Sequence, residues 1–124
     1  MSDPTRKYDE ISDTLHITFM PGESGTGIEL NENTLLRINT GARSAVGLSL
    51  FNYSILAQRT EMGPRSFPLT GLAMLSEELR EIALQILQDA PVHDYLTVSA
   101  YTPGGSEPIP IMYLQPEIVP SRAA

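Results

Sequence analysis

Residues 14–20 alternate strictly, with Leu15, Ile17 and Phe19 on one side and His16, Thr18 and Met20 on the other. Period two with β-branched and aromatic residues predicts a half-buried strand. Pro21-Gly22 ends it, and Glu23-Ser24-Gly25-Thr26-Gly27 reads as a flexible polar connection. Ile28-Glu29-Leu30 alternates again and runs into Asn31-Glu32-Asn33, a turn cluster whose asparagines tolerate left-handed backbone. Thr34 to Asn39 gives a third strand with Leu36 and Ile38 inward, Thr40-Gly41-Ala42-Arg43 reverses the chain, and Val46, Leu48 and Leu50 mark a fourth that runs on towards Ile55. These connections are too short for parallel crossovers, so an antiparallel meander is expected over residues 14–56.

Residues 57–71 are punctuated by Gly63-Pro64 and Pro68 and read as a connector. A helix is predicted over residues 72–89. Ser76 suits its N-cap, Glu77 and Glu78 suit its first turn, and Leu75, Leu79, Ile82, Ala83, Ile86 and Leu87 form one apolar stripe. Period two returns in a C-terminal β-region at 95–114, with a strand over 95–101. Pro108 and Pro110 limit the segment around Ile109 and Ile111 to an edge strand. Residues 116–124 read as a loose tail. The expected architecture is a single α+β domain over 1–124: an antiparallel β-meander of four short strands plus a C-terminal strand, packed against one main helix. The alternate positions of the meander, Met20, Leu35, Ala45 and Phe51, are less polar than a solvent face requires. That pattern predicts a self-associating sheet face or a second cover.

Composition narrows the chemistry. The chain has 124 residues, fits one domain, and carries 8 Lys+Arg against 15 Asp+Glu, a net charge of −7. Scattered cations in an acidic chain argue against nucleic acid and anionic lipid as partners. The absence of cysteine removes disulfides, thiolate nucleophiles and Cys-based metal sites. The opening residues lack the apolar run of a secretory signal, no stretch is long enough to span a bilayer, and a cytoplasmic location is expected.

Candidate sites are sparse. Asp9 and Asp13 with His16 could form a metal corner, or the two aspartates could instead hold the turn before the strand through backbone N–H groups. His93-Asp94 with Ser54, Ser99 or Ser106 does not assemble a triad pattern, and no Gly-x-Ser-x-Gly elbow is present. The glycine-bearing loop at 22–27 lacks the Lys-Ser/Thr and the following helix of a phosphate loop. Glu23, Glu29 and Glu32 could be paired as glycosidic carboxylates, but acids at this density occur on any acidic surface. Tyr95, Tyr101 and Tyr113 suit either an interface or ordinary packing.

The run Tyr8-Asp9-Glu10-Ile11-Ser12-Asp13-Thr14-Leu15-His16-Ile17-Thr18-Phe19, then Gly27-Ile28-Glu29-Leu30 and Val46-Gly47-Leu48-Ser49-Leu50, resembles the opening of a family of small bacterial proteins catalogued only as a domain of unknown function, number 2283. The resemblance covers residues 8–56. The family's closing Leu-Asp-Ala-Ser reads here as Phe51-Asn52-Tyr53-Ser54, and its acidic residue near the third strand is missing. The resemblance implies a β-meander of unassigned role and no catalytic residue.

The sequence therefore points to a non-enzymatic interaction or self-assembling module. Its expected partner is a second copy or another protein, with no cofactor, and the interface candidates are Met20, Leu35, Phe51, Tyr95, Tyr101 and Tyr113. The competing expectation is a ligand-binding protein or enzyme with a site between helix and sheet using Asp13, His16 or Glu29.

Overall fold

A computed structural model describes residues 4–60, 63–64, 66–101 and 109–114. The fold is α+β. Strands β1 (Thr5–Asp9), β2 (Thr14–Thr18), β3 (Thr26–Asn31), β4 (Thr34–Asn39) and β5 (Ser44–Phe51) form an antiparallel five-stranded sheet in the order β1-β2-β5-β4-β3. In strand number and order this sheet differs from the sequence expectation. Thr5–Asp9 adds an edge strand that carries too little apolar pattern to be read from sequence. The chain also does not meander throughout, because β2 pairs with β5 instead of β3. The connection over residues 19–25 reaches β3 across the sheet end, a span of about 14 Å at the usual strand spacing, well within its extended length. The pairing places Leu15 against Leu50 and Ile17 against Leu48, so the apolar residues of both central strands share one face.

The two four-residue turns share a design. Asp9 Oδ1 accepts the Ile11 N–H at 3.0 Å, and Asn39 Oδ1 accepts the Ala42 N–H at 3.0 Å. Each turn then closes through a left-handed residue, Asp13 at φ 54° and Arg43 at φ 51°. A register shift between Arg37 and Ile38 leaves Val46 extra in β5, and its carbonyl accepts the N–H groups of both Phe19 and Met20. This bulge turns Ala45 inward, opposite Ile38 and 5% exposed, where simple alternation had it outward.

The inner face is continuous: Leu15, Ile17, Ile28, Leu30, Leu36, Ile38, Leu48 and Leu50 are essentially inaccessible to solvent. A short helix α1 (Tyr53–Leu56) follows β5, and small strands β6 (Arg59–Thr60) and β7 (Gly63–Pro64) pair within the segment read as a connector. Beyond it come β8 (Phe67–Pro68), a 3-10 turn at Thr70–Met74, helix α2 (Glu77–Gln88), a second 3-10 turn at Val92–Asp94, β9 (Leu96–Tyr101) and β10 (Ile109–Leu114). Ser76 caps α2, its hydroxyl accepting the Leu79 N–H at 3.2 Å. The predicted stripe residues Ile82, Ala83, Ile86 and Leu87 are buried in the same core as the inner face of the sheet. The helix is shorter than the predicted 72–89, because residues 70–74 adopt a tighter turn whose end Arg80 secures by donating to the Leu72 and Leu75 carbonyls.

β10 is the centre of a three-stranded sheet, β8-β10-β9, and not the edge expected from its prolines. Pro110 lacks a donor but its carbonyl accepts the Leu69 N–H, and β8 pairs only with Ile111 and Met112. The predicted loose tail at 116–124 lies outside the described residues. Gly71 closes one edge of the large sheet: a Cβ there would collide with the Glu29 carbonyl and come within 3.0 Å of the Leu30 oxygen, so only glycine lets the turn sit on the backbone of β3.

Candidate functional site: the outer face of the sheet

Alternation that sends Leu15 and Ile17 inward sends their neighbours outward, and the register orders those neighbours into rows. One row reads Lys7, His16, Ser49, Leu35, Glu29 from the β1 edge to the β3 edge. The next reads Thr5, Thr18, Gly47, Arg37, Gly27. A third carries Asp9, Thr14 and Phe51, the last donating its N–H to the Asn33 carbonyl. Lys7 and Glu29 are exposed, His16, Thr18, Leu35, Arg37 and Phe51 are half-buried, and Ser49 is 3% exposed beneath its taller neighbours. His16 Nδ1 lies 3.0 Å from Ser49 Oγ across the β2–β5 pair.

The interior of the face departs from the overall charge of the chain. His16 and Arg37 stand within it, while Lys7 and Asp9 share the β1 edge and Glu29 lies on the β3 edge. Leu35 and Phe51 supply apolar surface on the same face. Arg37 lies across Gly47: a Cβ on Gly47 would fall 3.1 Å from Nε and 3.2 Å from Cζ, and would collide with Nη2.

The candidates read from sequence separate. Asp13 is a clasp at the end of the sheet. Its carboxylate accepts the Ser54 hydroxyl at 2.5 Å, the Ser54 N–H at 3.1 Å and the Tyr8 hydroxyl at 2.6 Å. Ser54 first and Tyr8 second hold the Asp13 carboxyl below its ordinary value, and the Ser12 side chain with the Ile11 amide does the same for Asp9. Asp9 takes the turn role through the Ile11 N–H, whereas the donors to Asp13 are Ser54 and Tyr8, outside the turn. Among the described residues, no group of three or more His, Asp or Glu side chains is placed to hold a metal ion. Asp13, His16 and Glu29 do not converge between helix and sheet; that layer is filled by the apolar core.

Of the interface candidates, Leu35 and Phe51 stand on the outer face. Met20 packs against the core, with the Ser44 hydroxyl 3.6 Å from its sulfur, and Tyr95 packs on Phe19 with ring centroids 5.8 Å apart. Tyr113 is half-buried opposite Thr97, and the side chain of Tyr101 lies outside the described residues. Sequence reasoning passed over Arg37, Gly47 and Ser49. The available signals were Arg37 between inward Leu36 and Ile38, and a glycine inside a strand, which marks close approach of another group. No helix among the described residues is long and apolar enough to cross a membrane. No protein-family model matches the chain, and no curated protein or solved structure is detectably similar to it.

Proposed function

We propose that this chain is a non-enzymatic binding module whose working surface is the outer face of the five-stranded sheet, and that its partner is an acidic segment of another protein. The observation that carries the reading is charge placement: in a chain of net charge −7, the interior of this face holds Arg37 beside Leu35 and no carboxylate, the acids Asp9 and Glu29 lying at its two edges. Apolar anchors with flanking cations suit an acidic partner, since complementary potentials steer encounter and fix register. The cytoplasmic setting expected from the sequence belongs to this reading. So does kinship with the bacterial family of unknown function: the shared Tyr-Asp and second Asp are the residues that build the β1–β2 turn and its clasp. Homo-oligomerisation through this face is the alternative occupant. Stacking two copies face to face sets the interior of the face, which holds Arg37 and no carboxylate, against itself, which disfavours it.

The test is fluorescence anisotropy with a labelled Glu/Asp-rich peptide and a Lys-rich control, run beside light scattering on a sizing column. The acidic peptide binds and the control does not, and Lys7→Glu weakens binding by about tenfold, mostly at low salt. Indifference to charge overturns the reading. A dimer that Lys7→Glu dissociates replaces the separate partner with a second copy.

A further inference from the structure

Arg37 carries an anomaly. Among the described residues, its Nε is a buried side-chain nitrogen with no hydrogen-bond partner. A guanidinium cannot shed its proton, so an N–H withheld from water and from every acceptor is a standing cost. The arrangement exists because position 47 is glycine, whose missing side chain leaves the bed on which the guanidinium lies. A resting position of this kind is improved by any acceptor that arrives from outside. Side-chain torsions alone suffice to lift the group, since Gly47 holds it by no bond.

We propose that Arg37 is a stowed carboxylate-binding arm: it lies over Gly47 when the face is empty and swings up to take a Glu or Asp carboxylate of the partner. The inference rests on the outer face being the binding surface. The Nε–Nη2 edge of guanidinium matches the two oxygens of a carboxylate, which makes the pair bidentate and directional. The surroundings favour a monoanion. Beside the arm stand the Ser49 hydroxyl with its His16 contact and the Thr18 hydroxyl beyond Gly47, and the other fixed cation of the face, Lys7, lies apart on the β1 edge, short of the cluster a phosphate group demands.

The Arg37 Nε–H resonance in a proton–nitrogen correlation spectrum reads the arm directly. Sodium acetate and a capped Glu-rich peptide move it, and inorganic phosphate at equal ionic strength moves it less. Arg37→Lys keeps the charge, loses the fork and weakens peptide binding about tenfold, the worth of one charge-assisted hydrogen bond. Gly47→Ala fills the bed and leaves the arm released, so it binds no more weakly than wild type. If Gly47→Ala fails to give a folded spectrum, Arg37→Lys and the Nε–H shift decide alone. A peptide that shifts the Leu35 and Phe51 amides but leaves the Arg37 Nε–H unmoved overturns the arm while the face survives. No shift anywhere on the face removes both. Binding by Arg37→Lys at wild-type strength, or an equal response to phosphate, also overturns the proposal.

Discussion

The two faces of the five-stranded sheet come from the same strands and obey different rules. Inward, β2, β3, β4 and β5 present large aliphatic side chains, and the central cross-strand pairs are alike: Leu15 on Leu50, Ile17 on Leu48, Leu36 on Leu48 and on Ile28. Outward, apart from Thr5 beside Thr18, neighbours are unlike: lysine beside histidine, histidine beside serine, arginine beside glycine. Burial of apolar surface fixes the register, since a slip of one residue would exchange the faces. Once the register is set, the outer residues are free to serve something other than folding. Function is to be sought on the face where the local arrangement is not the most stable one available, as at Arg37.

The two faces differ most under core truncation. Leu48→Ala, at the centre of the inner face, removes a wholly buried side chain and costs about 2–5 kcal/mol, read as a fall in denaturant midpoint with unchanged slope. Gly71→Ala forces a Cβ into the backbone of β3 and costs about 1–3 kcal/mol, with hydrogen exchange rising first in β3 and the Thr70–Met74 turn.

The clasp is worth less, because it is exposed. Asp13→Asn keeps a residue at ease with φ 54° but weakens acceptance from Ser54 and Tyr8, costing about 1 kcal/mol at neutral pH. The sign of its pH dependence is fixed. Asp13 is depressed in the native state, so its stabilisation is complete above the ordinary carboxylate value of 3.8 and fades as pH falls through the lower native value. Urea melts of wild type and Asp13→Asn should differ by a constant amount from about pH 7 to pH 5 and converge below about pH 4. Leu35→Ser, on the outer face, should move stability by only about 0.5 kcal/mol.

Much of the fold was legible because hydrophobic period carries it: β2, β4, β5 and the stripe of α2 fall where alternation and three-four spacing put them. What escaped has physical reasons. The strand Thr5–Asp9 is an edge with most side chains exposed, so it shows no apolar alternation. The β2–β5 pairing depends on matching faces between segments far apart in sequence, which no local pattern displays. Ala45 changed face through a bulge, and Pro110 sits inside a sheet because its carbonyl, not its missing N–H, meets a neighbour. Asp13 was legible as a turn residue, but its contact with Ser54 was not. Arg37 was visible only as an outward residue, and its position over Gly47 depends on the β4–β5 register.

If the outer face binds while the inner face folds, the two roles separate in the double variant Leu35→Ser/Phe51→Ser, followed by thermal unfolding and by anisotropy of the labelled Glu/Asp-rich peptide on the same sample. The expected result is a melting temperature within about 5 °C of wild type and peptide binding at least about tenfold weaker. Wild-type binding by a folded double variant would contradict it.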